Sequence, residues 1–190
     1  MSRAWYMNDL PDDQRLERQM DPPQPVEISQ LRELTGVTHY KLNPATLATD
    51  GVLEGIKQDR GYNYEDCCEI SKGTLPDYEV KIKNFFTEHI HTDEEIRFVE
   101  KGSGYFDVRD KNDRWIRIEC LEGDLIILPA GIYHRFTLDM NNYIKARRFF
   151  CGEPIWTPHN RPADHFKERQ SYVSWMKTNF QGEPALTSAH

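Results

Sequence analysis

The run Glu88-His89-Ile90-His91-Thr92-Asp93-Glu94-Glu95-Ile96-Arg97 sets two imidazoles one residue apart, a carboxylate four residues beyond the second, and a guanidinium two further on. If the run is extended, side chains alternate between faces, so His89, His91, Glu95 and Arg97 project together. Imidazole and carboxylate donors suit Fe, Ni, Zn or Mn, and three or four of them leave positions open for water or substrate. The bland alternative is a polar strand face whose histidines meet solvent. His134 is the natural fourth ligand. It follows Gly123, Pro129 and Gly131, and a proline-fixed, glycine-permitted turn would start a strand with the imidazole aimed rather than loose.

The other histidines are weaker candidates. His39, His159 and His165 have no partner at ligand spacing and are expected to be structural or solvated, and His190 is set aside in the tail. Arg97 shares the face of Glu95 and is expected to stabilise a bound anion beside the metal. Arg148 falls on the apolar face of its segment with Ile144, Ala146 and Phe150, while Lys145 and Arg147 take the other face. A guanidinium held inside a barrel needs an anionic partner, either an acidic side chain or a ligand. Phe85 and Phe136 are read as pocket walls or as plain core. There is no convincing Ser-His-Asp set and no phosphate-binding glycine loop, and Gly102-Ser103-Gly104 reads as a hairpin turn.

The elements that must position these residues follow from periodicity. Trp5, Tyr6 and Met7 suggest a short edge strand, and Pro11 to Pro25 an irregular surface loop. Ile28, Leu31 and Leu34 mark a helix ending at Gly36. Val52 and Ile56 mark a second, closed by Arg60-Gly61, and Tyr62, Tyr64, Cys67, Cys68 and Ile70 a third. Tyr78, Ile82, Phe85 and Phe86 fall on one face of a helix over Pro76 to Thr87, with Asp77 as N-cap. From Glu94 the rhythm becomes that of strands: 95–100, 105–109, 115–119, 125–128, 133–137 and 143–150, separated by Gly, Asp and Asn turns. Short, evenly spaced strands of this kind predict an antiparallel sandwich or barrel. Residues 151–165 read as irregular, Asp164 to Phe180 as an amphipathic helix, and 181–190 as a frayed tail. The fold class expected is therefore mainly β with flanking helices. Residues 1–190 form a single domain in this reading: a helical N-terminal portion over 27–87, a barrel core over 88–150, and a C-terminal helix over 164–180.

Bulk composition narrows the function classes. With 190 residues the chain can bury a real core in one domain, and 38% hydrophobic and 29% charged residues suit a globular protein. A net charge of −7 without a Lys/Arg cluster argues against nucleic-acid binding. Cys67, Cys68, Cys120 and Cys151 form no C-x-x-C pair, so a reducing compartment is expected. Neither a signal peptide nor an apolar run of membrane-spanning length is evident, so no membrane insertion is expected and the cytoplasm is the default.

The two stretches His89-x-His91-x3-Glu95-x6-Gly102 and Gly123-x5-Pro129-x-Gly131-x2-His134 resemble the paired motifs of the cupin superfamily. Lys83 and Leu138 stand where those motifs commonly carry Gly and Asn. More narrowly, the chain resembles the acireductone dioxygenases of eukaryotic type along nearly its whole length. The matching stretches are Ala4 to Met7, Leu75 to Glu79, the metal motif, Gly102 to Asp110, Leu128 to Leu138 and Asn160 to Asp164.

The resemblance implies a cupin (jelly-roll) β-barrel holding one Fe(2+) or Ni(2+) per chain on His89, His91, Glu95 and His134, with Arg97 catalytic and Arg148, Phe85 and Phe136 facing the pocket. It implies cleavage of acireductone by O2 in methionine salvage. The Fe(II) form would give 4-methylthio-2-oxobutanoate and formate, and the Ni(II) form methylthiopropanoate, formate and carbon monoxide. A monomer is expected, in the cytoplasm and also the nucleus, with any protein partner left open. Two alternatives stand beside this reading: another metal-dependent cupin oxygenase or isomerase, and a cupin used as a binding or regulatory module.

Overall fold

Alternating apolar positions set out most of the strands, and the chain assembles them into two antiparallel sheets that share one long strand. The computed structural model describes residues 1–180. In chain order the elements are β1 (Ala4–Met7), β2 (Gln19–Val26), α1 (Leu31–Thr35), β3 (Thr38–Lys41), α2 (Val52–Arg60), β4 (Tyr64–Ile70), α3 (Tyr78–Phe85) and β5 (His89–Ile90). They continue as β6 (Glu95–Arg109), β7 (Trp115–Leu121), β8 (Asp124–Leu128), β9 (His134–Leu138), β10 (Ile144–Phe150), β11 (His159–Asn160) and α4 (Lys167–Asn179).

One sheet runs β11-β5-β9-β6-β7-β1-β2, and the other runs β4-β10-β6-β8-β3. The first half of β6 pairs with β8 and β10, its second half with β7 and β9. A single buried cluster takes Val99, Ile126, Leu128 and Ile144 from the second sheet and Phe106, Val108, Ile116, Ile118 and Leu138 from the first. The two sheets therefore close on one core, as the strand spacing predicts. A second cluster, with Leu53, Tyr62, Ile96, Phe98 and Phe149, lies under α2 on the outer face of the second sheet.

Several expectations are corrected. Gly102-Ser103-Gly104 is not a hairpin turn but the corner at which the continuous β6 passes from one sheet to the other. Gly102 has φ +76°, and a Cβ there would run into the Tyr143 carbonyl; one on Gly104 would lie 2.9 Å from the Phe136 ring. Two glycines spaced this way resemble a turn in sequence, yet they serve a bend inside a strand. The third helix expected around 62–70 is the strand β4. Its Tyr64, Asp66, Cys68 and Ile70 lie opposite Phe150, Arg148, Ala146 and Ile144 of β10. The apolar residues there are compatible with both periods, and the available edge of β10 decides.

The proline-rich loop contains β2, which pairs with β1 at the sheet edge, where missing amide donors are tolerated. β1 itself lies inside the sheet between β2 and β7, so it is not the edge strand expected. Asp77 occupies the N-cap position of α3, but with left-handed backbone (φ +55°) and no side-chain cap bond. The expected irregular stretch 151–165 includes the two-residue β11. The helices ending at Gly36 and Gly61 and the C-terminal helix are as predicted, with both glycines left-handed. Residues 181–190, with His190, lie outside the described residues.

Candidate metal centre

His89 and His134 are directly opposed partners of β5 and β9, and β9 pairs in turn with β6. The first strands of both motifs are thereby held side by side. The run 88–97 is not one extended strand: β5 ends at Ile90, residues 91–94 are irregular, and β6 starts at Glu95. His91 and Glu95 still converge, because the irregular stretch folds them to the same side. The His91 carbonyl accepts a hydrogen bond from the Gly131 amide at 3.0 Å, which ties this stretch to the turn ahead of His134.

One ligand atom from each of His89, His91, Glu95 and His134 lies within 4.8 Å of the others. Each imidazole donates from Nδ1 to a backbone carbonyl: His89 to Thr87 at 2.6 Å, His91 to Thr157 at 3.1 Å, and His134 to Ile132 at 2.9 Å. A carbonyl only accepts, so these bonds fix the proton on Nδ1 and leave the Nε2 lone pairs aimed inward. Two of those nitrogens, on His134 and His91, stand 2.9 and 3.2 Å from Glu95 Oε2. Acceptors so gathered repel one another unless a cation sits among them. The donor set therefore fits a divalent ion of the Fe, Ni, Zn or Mn kind.

Burial pushes the Glu95 carboxyl up, but the Arg97 guanidinium leads the opposing effects, and the group is held well below the usual carboxylate range. Burial drives His89 down to about 3, helped by the neighbouring His134, so its ring is a neutral donor.

The ligands line a cavity of about 440 Å³, a size suited to a small molecule. Along β6, Glu95, Arg97 and Val99 face this cavity, and along β10 Ile144, Ala146 and Arg148 do so. Arg97 sits at 3.2 Å from Glu95 Oε1 and donates to the Ile96 carbonyl at 3.0 Å. Arg148 faces the same space but is matched by Asp66 through two bonds, 2.7 Å to Oδ1 and 2.6 Å to Oδ2. Its anionic partner is thus an acidic side chain. Phe85 and Phe136 both line the cavity, edge to face with centroids 6.4 Å apart.

Sequence reasoning missed Trp156, which lies over Arg148 at 4.2 Å and over Arg97 at 5.5 Å. It stands in the irregular segment after β10, where periodicity gives no signal. Cys68 and Ile70, expected on a helix, lie on β4 and form part of the cavity wall. Among the described residues the other histidines lie apart from this group. His39 bonds Asp124 at 3.1 Å, and His159 and His165 pack against Phe166.

Residues 3–158 match the model of the ARD/ARD' family. The chain belongs to that family. A relative from Ixodes scapularis named acireductone dioxygenase is 59% identical over 178 residues, covering 93% of this chain and 97% of that one. Acireductone dioxygenase 1 of Physcomitrium patens is 55% identical over 189 residues, covering 98% and 97%. The solved acireductone dioxygenase from Bacillus anthracis, described with a cadmium ion in its active centre, superposes with a TM-score of 0.68 at 23% identity. It covers 83% of this chain and 97% of its own. The likeness extends the cupin barrel of the ARD/ARD' family to this chain, and family membership makes it an oxygenase enzyme.

Proposed function

We propose that the chain is an acireductone dioxygenase of methionine salvage, using O2 to cleave 1,2-dihydroxy-5-methylthiopent-1-en-3-one. The observation that carries this reading is the polarity of the cavity. Three Nε2 lone pairs, one carboxylate and Arg97 share its lining with apolar side chains such as Phe85, Phe136, Val99 and Ile144. That shape suits a substrate with an oxygen-rich head and a methylthio tail. Names of relatives at 53–59% identity support the same chemistry.

In this reading His89, His91, Glu95 and His134 hold one Fe(2+) or Ni(2+) per chain, which when bound supplies a Lewis acid for the enediolate and a partner for O2 chemistry. Arg97 lies beside the ligands and offsets the negative charge of the bound head group. The Arg148–Asp66 pair adds no net charge, so it orients rather than attracts. Phe85 and Phe136 hold the tail and keep water from the reacting end. The Fe(II) form would yield 4-methylthio-2-oxobutanoate and formate, and the Ni(II) form methylthiopropanoate, formate and carbon monoxide. Imidazole and carboxylate accept both metals, so the residues themselves do not select.

Residues 1–190 act as one unit in this proposal, supported by the sharing of β6 between both sheets. The free thiols of Cys67, Cys68, Cys120 and Cys151 support a reducing compartment, the cytoplasm and also the nucleus. The net charge of −7 supports the absence of a nucleic-acid partner, and a monomer is expected. The test is metal analysis of the purified chain, followed by anaerobic addition of acireductone, then O2, and product analysis. One equivalent of Fe or Ni with formate released is the expected result. A metal-loaded, folded chain that leaves acireductone untouched would overturn the proposal.

A further inference from the structure

The irregular residues 91–94 join two of the four ligands, His91 at their start and Glu95 just beyond them, so something must fix their path. At one end the Gly131 amide holds the His91 carbonyl. At the other end the contact is made by Glu94. Strand alternation separates the two adjacent glutamates. Glu95, Arg97 and Val99 face the metal cavity, whereas Ile96 and Phe98 belong to the cluster under α2. Glu94 goes with the latter side, into the wall of a second cavity of about 430 Å³ that also includes Arg60, Pro129 and Ala130.

There the Arg60 guanidinium donates to Glu94 Oε1 at 3.1 Å, and the Tyr62 hydroxyl donates to Oε2 at 2.7 Å. Both donors flank Gly61, whose left-handed backbone (φ +73°) caps α2 and turns the chain toward β4. Tyr62 is itself immobilised, buried and stacked on Phe149 with ring planes 12° apart. Neither Arg60 nor Tyr62 lines the metal cavity, yet they grip the residue next to one of its ligands.

We infer that Glu94 is a positioning residue: clamped by Arg60 and Tyr62, it sets the path of residues 91–95 and so brings His91 and Glu95 to a common point. The clamp also keeps the Glu94 carboxylate out of the metal cavity, so that of the two adjacent glutamates Glu95 alone serves the ion. This deepens the metal-site reading above and rests on it.

The test uses the full chain loaded with Co(2+) as probe. Tyr62→Phe removes one hydroxyl while keeping the ring stack, Arg60→Gln removes the cation at the rim, and Glu94→Gln weakens both contacts. Arg3→Gln, which breaks a distant surface pair with Glu17 and Glu119, is the control. Loss of an orienting group around a metal site typically costs about 10–100-fold in affinity. The clamp variants should release Co(2+) to a chromophoric chelator at least about tenfold faster than the parent, with an altered visible absorption band, and the control should match the parent. Unchanged release and spectrum in Arg60→Gln and Glu94→Gln, even with a lowered unfolding midpoint, would make the clamp merely structural and overturn the inference. If Tyr62→Phe fails to fold, those two rim variants still decide. A parent chain that takes up no Co(2+) would instead overturn the metal-site reading, and this inference with it.

Discussion

Arg97 Nη2 stands 3.2 Å from Glu95 Oε1, while the other oxygen of that carboxylate faces His91 and His134. One glutamate is thus shared between the guanidinium and the metal-binding nitrogens. On the proposed function the two residues would divide the work, Glu95 serving the metal and Arg97 the charge that arrives with the substrate. Arg97→Ala should therefore keep one equivalent of metal and lose about 10²–10³-fold in turnover, the scale of removing one preorganised charge-stabilising donor. Glu95→Ala should lose the metal outright. Metal analysis alongside steady-state rates checks both, and a metal-replete Glu95→Ala enzyme with normal turnover would refute the ligand assignment.

The Arg148–Asp66 pair is half-buried, with the guanidinium in the cavity wall. Asp66→Asn leaves that cation unmatched and should cost ~1–2 kcal/mol, between the values for exposed and buried pairs. Arg148→Gln together with Asp66→Asn should recover part of the loss. Urea unfolding of the single and double variants gives the coupling. Additive effects would show that the pair contributes no interaction of its own.

Acid should weaken the attachment of the N-terminus and β3 at Asp124. Burial pushes this carboxyl up, but hydrogen bonds from His39, the Ser2 hydroxyl, the Leu121 amide and Lys41 outweigh it, so its pKa is lowered. A depressed carboxylate contributes stability that is complete above the unfolded value of about 3.9 and fades as pH falls through the folded value. Asp124→Asn should accordingly be less stable than the parent at neutral pH, with the gap narrowing below about pH 4. Denaturant midpoints measured from pH 6 to pH 3 would show a constant gap if the group were not linked to folding.

Glycines at left-handed positions should differ by their surroundings. Gly102 has φ +76° and a Cβ would strike the Tyr143 carbonyl, whereas Gly61 has φ +73° and nothing within 4 Å. Gly61→Ala should cost ~1 kcal/mol from backbone strain alone. Gly102→Ala should cost ~1–3 kcal/mol more, because two backbone segments must part. Thermal unfolding of the two variants makes the comparison, and equal losses would mean the corner yields easily.

The metal-binding set was legible because its chemistry is local. Two histidines and a glutamate within one run, and a histidine after a Pro-Gly turn, keep their meaning whatever the strand bounds. The alternation argument picked out side chains that the fold does bring together, although β5 and β6 are separate strands. Most strands were legible for a similar reason, since period-two burial is written in the side chains. What the sequence withheld depends on distant partners. β4 is a strand because β10 offers it an edge, and Gly102 bends a strand because Tyr143 lies against it. Trp156 reaches Arg148 and Arg97 through a segment with no periodicity at all. Asp66 could be expected as some acidic partner of Arg148, but not identified.

The placement of β6 in both sheets makes the site mechanically lopsided. Glu95 is the first residue of β6 and is paired with Leu128 of β8, and the next residue, Ile96, is held on both sides, by Ile127 of β8 and Phe149 of β10. His91 hangs on irregular backbone held by far fewer bonds. Local fluctuations should thus loosen His91 long before Glu95, and amide hydrogen exchange should be fast around Thr92 and slow at Ile96. An ion leaving this centre would depart by the histidine side, with the glutamate as its last tether.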